Sequence, residues 1–198
     1  VTGSGLPNRV YGDYRNPDQP GSGGGLYWAS GGSGGGLIRI AVDTAVIDGS
    51  IVANGDDGGF NADTAGSSGG IRMDAGSLSG SGVITATGGI PYAGGGGGGG
   101  GRIAIYYDSS SFSLDNIQAQ GGHANGYRGG GVGSVYLKQT TGLGELHINS
   151  HGDNTNAFTP LGIENETVFS VERLIISGNE AVAVPEHDGL TIEAQEIF

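Results

Sequence analysis

Short stretches of alternating apolar and polar residues, broken by glycine, run through most of the chain. LIRIAV, VITAT, RIAIYY, SVYLK and LIIS are the glycine-free pieces, and each is short and rich in β-branched or aromatic residues. A period of two puts successive side chains on opposite faces of a strand. The apolar stripe at i, i+3, i+4 and i+7 that marks an amphipathic helix is missing throughout. The pattern predicts an all-β protein.

The strands recur. GGGLIRIAV (34–42), SGGIRMDA (68–75), GGGRIAIYY (99–107) and GVGSVYLK (131–138) superimpose, with Ile38, Ile71, Ile103 and Val135 in one column, 33, 32 and 32 residues apart. A second strand follows the first three: SIVANG (50–55), VITATGG (83–89) and NIQAQGG (116–122), with Ile51, Ile84 and Ile117 spaced by 33. A fixed interval of this length signals stacked supersecondary units. One unit cannot bury its apolar face alone, but like stacked on like can, at about 25 cal/mol per Å2 of apolar area. The expected architecture is a right-handed parallel β-helix, one turn per repeat and about 32–33 residues per turn. Alternation places Ile38, Ile71, Ile103 and Val135 inside with Ile40, Met73, Ile105 and Leu137. It sets Arg39, Arg72, Ala104 and Tyr136, then Ala41, Asp74, Tyr106 and Lys138, on the other face, which is expected to meet water.

Glycine changes the picture next. It supplies 45 of 198 residues, against roughly 7 % in ordinary proteins. The richest runs (31–36, 69–70, 94–101 and 129–133) all precede the first strand of a repeat. A flexible linker would not keep phase with strands. The runs therefore read as ordered corners, where stacked backbones leave no room for Cβ atoms and where positive φ is available. A phosphate-binding loop would need Gly-Lys-Ser/Thr opening a helix, whereas Arg102 opens a strand.

The net charge of −12 argues against nucleic acid, which needs a basic face, and suits an extracellular protein. No cysteine is present, so disulfides and thiolate metal sites are excluded, and no apolar run is long enough for a membrane span. The opening VTGSGLPNRV has no signal-peptide pattern, as expected of a mature or excised piece of a longer chain. After about residue 140, glycine thins and acids rise. ELHIN, ETVFSV, LIIS, VAV and LTIEA crowd together, with Ile176, Val184 and Ile192 eight residues apart. The chain thus divides into glycine-rich β-helix repeats over 1–140 and, over 141–198, tighter coils or a capping region of the same solenoid.

The succession YGDYRNPDQPGSGGG, SGGGLIRIAV, SIVANG, SGSGVITATGG, GGGGGGRIAIYY, GGVGSVYLKQ and ELHINSHG resembles a glycine-rich β-helical module of very large bacterial surface and secreted proteins. The resemblance spans roughly residues 11–165. It implies an extracellular repeat module and supplies no catalytic residues.

Candidate chemistry is sparse. Asp56, Asp57, Asn61 and Asp63 crowd one glycine loop and are candidate Ca2+ ligands, since hard oxygens in a turn can hold that ion. Their spacing fits neither an EF-hand nor the calcium-binding nonapeptide, and turn chemistry alone explains Asp and Asn there. HGDNTN (151–156) is a weaker acidic turn. Tyr92, Tyr127 and Trp28 lie near the glycine corners and are candidate sugar-stacking residues. Arg39, Arg72 and Asp74, with Arg102 and Asp108 on the next turn, are the nearest approach to a β-helical lyase set, and Asp74 with Asp108 or Asp43 to a glycosidase pair. A stacked surface salt-bridge ladder is the better account of Arg39, Arg72 and Asp74. No HExxH or GxSxG motif occurs. The function expected is structural: an extracellular module of a bacterial surface or matrix protein, a rod or a self-assembling filament subunit, and not an enzyme. A carbohydrate-binding adhesin module and a polysaccharide lyase or hydrolase are the alternatives. The expected partners are polysaccharide or the chain itself, stacked end to end.

Overall fold

The computed structural model describes residues 12–25, 31–59, 64–92, 94–123, 129–153, 155 and 157–198. It is an all-β solenoid of about four turns. The first turn runs through β1 (Leu37–Val46) and β2 (Ser50–Val52), the second through β3 (Gly70–Ser79) and β4 (Val83–Thr85). The third contains β5 (Arg102–Ser110) and β6 (Ile117–Gln118), and the fourth opens with β7 (Ser134–Gln139). The long strands pair in parallel in the order β1-β3-β5-β7, the short ones in the order β2-β4-β6.

The register is the one the apolar columns require. Ile38 pairs Ile71, Ile71 pairs Ile103, and Ile103 pairs Val135. Ile51 pairs Ile84, which pairs Ile117. A slip of one residue would turn each column to the opposite face. Ile71, Met73, Ile84, Ile103 and Ile105 are fully buried, and Ala53, Ala86 and Ala119 extend the column of the short strands inward. Asp43 and Gly76 drop out of the ladder between β1 and β3, and the inward residues shift there from Ala75 to Leu78. The long strands therefore bend at that point, and a Cβ on Gly76 would lie 2.6 Å from the Asp43 carbonyl oxygen.

The glycine runs form a backbone lattice. Along residues 65–70 the amide partner changes at each step. Ala65 and Ser68 donate to Gly96 and Gly99 of the next turn. Gly66 and Gly69 donate to Asp56 and Ala53, on the outgoing arm of the preceding turn. Ser67 donates to Ser22, and Gly70 to Gly36. Two of the three partner segments thus return at every third residue, the periodicity of a polyproline II helix, which has no internal hydrogen bonds and must find them in neighbours. The octaglycine repeats the arrangement, with Gly98 and Gly101 donating to Gly89 and Ala86 and Gly100 to Gly131. Close approach is what demands glycine. A Cβ on Gly66, Gly98 or Gly130 would stand 1.9 Å from a carbonyl oxygen of Ser33, Gly66 or Gly98, one turn earlier. Positive φ, the other reason offered for these glycines, applies in the octaglycine only to Gly94.

Beyond residue 140 the winding changes direction. β8 (Gly144–Asn149) pairs antiparallel with β7, matching Val135 with His147 and Tyr136 with Leu146. A two-stranded sheet of β9 (Thr159–Leu161) and β11 (Ala183–Pro185) lies apart from the main sheet, which β10 (Val168–Ser177) and β12 (Thr191–Ile197) extend parallel to β8. Ile176 pairs Ile148, Val184 pairs Pro160 and Ile192 pairs Phe169, so their spacing of eight is not the length of a coil. Paired residues in this part lie 23 to 28 apart, as in Phe169 with Ile192 and Leu146 with Leu174.

The second core occupies the opposite face of the same sheet. Leu146, Ile148, Leu161, Phe169, Val171, Leu174 and Leu190 pack with Tyr14, Ala104 and Tyr136. This corrects the expectation that the second face of the long strands is outside. Ala104 is fully buried and Tyr136 is 3 % exposed. The central sheet is a wall between two cores, apolar on both sides where they overlap.

Candidate functional site

An N-terminal strap crosses this second face. Tyr14 fits into the second core, edge-on to Tyr136 at 5.2 Å between centroids and 5.1 Å from Phe169, and its hydroxyl donates to the Ser170 carbonyl at 2.8 Å. The Arg15 guanidinium lies over the Tyr14 ring at 4.7 Å and donates to the same Ser170 carbonyl. Tyr106 donates to the Arg15 carbonyl at 2.8 Å. Arg72 holds Asp74 with two bonds of 2.8 and 2.9 Å, reaches Asn16 Oδ1 at 3.0 Å and stacks over Tyr106 at 4.6 Å. Arg39 donates to Asn16 Oδ1 and the Pro17 carbonyl. Burial, its largest influence, raises the pKa of Tyr14 and, to a lesser degree, those of Tyr106 and Tyr136. All three phenols stay protonated, and those of Tyr14 and Tyr106 serve as hydrogen-bond donors.

Arg39 and Arg72, cations of the lyase set, are therefore engaged in fastening the strap, and Asp74 is held by Arg72. Asp108 accepts from the Thr140 hydroxyl, one turn later. In the reversed part Arg173 joins Glu145 at 2.8 Å to Glu196 at 2.5 Å, and Lys138 of β7 reaches across to Glu172 of β10 at 2.9 Å. Among the described residues no three of His, Cys, Asp and Glu gather as a metal-holding group.

Asp57 Oδ1 accepts the Ile90 N–H at 2.7 Å. Asn54 and Asp48 do the same for Thr87 and Ser81, each one repeat of 33 residues ahead. These side chains act as rungs between turns. Asp56 is exposed, while Asn61 and Asp63 lie outside the described residues. Of the sugar-stacking candidates, Tyr92 is 46 % exposed and its carbonyl accepts from Gly95 as the chain turns into the octaglycine. Trp28 and Tyr127 lie outside the described residues.

Sequence reasoning passed over the end of the first core. There β8 turns His147 and Glu145 toward the columns of Val135 and Leu137. His147 is 9 % exposed, and its Nε2 lies 3.3 Å from Glu145 Oε2. Burial depresses the His147 pKa below the usual 6.5 and outweighs the opposing pull of Glu145. Burial pushes the Glu145 pKa up, but hydrogen bonds from Arg173 and His147 outweigh it and leave the value lowered. His147, Asn149 and His151 line a cavity of about 10 Å3 with Leu114, Ile117, Ala119 and Val135. It has room for about one water and not for a substrate. The signal in the sequence was the alternation Glu145, His147, Asn149 opposite Leu146 and Ile148, whose meaning depended on knowing that the strand reverses.

No family model, no curated protein and no solved structure matches the chain.

Proposed function

We propose that the chain is a structural module of a bacterial surface or matrix protein: a stiff, side-chain-poor slab of stacked turns that spaces other parts apart. One observation carries this reading. Arg39 and Arg72 hold the strap, Asp57 and Asp108 each bond to the next turn, and Asp74 is taken up by Arg72 beside it on the same strand. A catalytic pair would be expected in a groove with an orienting group beside it. The resemblance to glycine-rich surface modules and the charge of −12 favour an extracellular setting. Incubation with pectate, alginate and sulfated galactans should release neither unsaturated nor reducing ends. Turnover that disappears in Asp74→Ala would overturn the reading in favour of a lyase.

Carbohydrate binding is a second reading, favoured by exposed Tyr92 at the mouth of the octaglycine run. Retention on a polysaccharide column, lost in Tyr92→Ala, would support it, and equal retention of the two proteins would remove it. Calcium is proposed for the loop of Asp56, Asp57, Asn61 and Asp63, whose oxygens are of the kind that ion takes.

A further inference from the structure

The two ends of the main sheet differ. At one end the first core is closed by β8, an antiparallel strand. At the other, β1 is the outermost strand, and none of the described strands covers the core behind it. Leu37, Val42, Val46 and Val52 are 39, 40, 65 and 50 % exposed. Ile38, Ile40 and Ile51 are only half-buried, whereas their counterparts one turn on, Ile71, Met73 and Ile84, are fully buried. An apolar edge strand of this length invites another strand.

A further parallel turn of the same repeat does not fit beneath the whole of it. Gly66, Gly98 and Gly130 must lack a Cβ because a carbonyl of the preceding turn lies 1.9 Å from where it would be. Gly89 and Gly122 face the same constraint, at 2.0 and 1.7 Å from the carbonyl oxygens of Asp56 and Gly89. The corresponding positions of the first turn hold Ser33 and Asp56, both exposed. Their Cβ atoms stand where the carbonyls of a stacked glycine half would have to be. In the half that contains β1 and β2, the tight positions are Gly76, Gly80 and Gly82, 2.6, 2.1 and 2.1 Å from the carbonyl oxygens of Asp43, Ile47 and Gly49, so the obstruction there is confined to Asp43 and the turn after β1 and spares Leu37–Val42.

We propose that this half is the interface of a two-fold symmetric dimer, in which β1 pairs antiparallel with β1 of a second copy about Ala41. The axis runs perpendicular to the sheet, so the inward face of β1 continues into the inward face of the second β1, and each glycine half lies clear of the other copy. In this register Ile40 lies opposite Val42 of the second copy, and Arg39 opposite its Asp43. The edge is thus self-complementary in both apolar and charged positions, as an isologous contact requires. Opposite charges at facing cross-strand positions are stabilising and like charges destabilising. The β12 edge has no such match, because its charges, Glu193 and Glu196, are of one sign. The inference goes beyond the spacer role and does not depend on it: a monomer could still be a spacer, and a dimer could still turn over a polysaccharide.

Sedimentation velocity on the 198-residue chain across a dilution series should show a reversible monomer–dimer equilibrium. Val42→Lys places a cation in the apolar seam, and Asp43→Lys sets like charge against Arg39. Each should raise the dimer dissociation constant about tenfold or more. Both sites are exposed, so circular dichroism should be that of the parent protein. Because the chain has no cysteine, Ala41→Cys should be trapped as a disulfide-linked dimer on mild oxidation. A monomer at every concentration overturns the proposal. So does a dimer that resists both lysine substitutions, one weakened instead by Ile197→Lys on the other edge, or open-ended polymers in place of a dimer.

Discussion

At the scale of single residues, the lattice separates glycines that are needed from glycines that are not. A Cβ at Gly98 would stand 1.9 Å from the Gly66 carbonyl, whereas one at Gly36 would meet nothing within 4 Å. Both lack the positive φ that would strain any side chain. Gly98→Ala should therefore lower unfolding free energy by about 3 kcal/mol or more, among the severe single substitutions. Gly36→Ala should be neutral or raise it by about 0.4–1 kcal/mol, because alanine restricts the unfolded chain. Urea titrations of the two variants decide the matter, and equal effects would mean that the turns are not packed at this spacing. Adjacent residues in the sequence do not reveal the distinction. Glycine at 36 and glycine at 98 read alike until the turn beneath one of them is seen to be missing.

At the scale of elements, the parallel turns were legible because alternation and interval agree. Ile38, Ile71, Ile103 and Val135 could share a column in only one register, and the structure has that register. The reversal at β8 was not legible, because period two states which residues share a face and not whether that face meets water. Tyr136 alternates with Val135 and Leu137 just as a surface residue would, and it is covered by Tyr14 and the second core. The strap was not legible either, since its partners lie as far as 91 and 156 residues away, as in Tyr106 with Arg15 and Tyr14 with Ser170. Its role predicts that Tyr14→Phe, which removes only the bond to Ser170, costs about 0.5–1.5 kcal/mol. Tyr14→Ala also empties an aromatic site and should cost about 3–5 kcal/mol. Amide exchange should then quicken first in β10 and β12, and uniform quickening would mean that the strap does not hold the second core.

The lid of the first core gives the elements a pH dependence. His147 faces Val135 across the sheet, with Glu145 on its own strand, Arg173 of β10 bonded to Glu145, and His151 lining the same cavity. Burial holds the folded pKa of His147 below 6.5, so the unfolded chain takes up the proton first as pH falls. Stability from this group is complete above about 6.5 and declines as pH drops below that value. Glu145, whose folded pKa is lowered from 4.5, adds stability that is lost further down, as pH falls through that lowered value. Melting temperatures should thus decline in two stages on acidification. His147→Gln should flatten the first stage and leave the second, and an unchanged first stage would assign it to another group.

At the scale of the whole molecule, the fold divides its stabilisation between two materials. The two cores bury hydrocarbon, and the glycine lattice buries peptide groups hydrogen-bonded in several directions. Their heat capacities of hydration have opposite signs. Exposing apolar surface raises the heat capacity by about 0.45 cal/mol/K per Å2, and exposing polar surface lowers it by about 0.26. Unfolding should therefore show a calorimetric increment per residue below the usual range of about 12–15 cal/mol/K. A value within that range would mean that the lattice contributes little to the cooperative unit. Hydrophobic cores weaken on cooling, so a chain that rests so much of its weight on bonded backbone should have a flat stability curve and hold together in the cold.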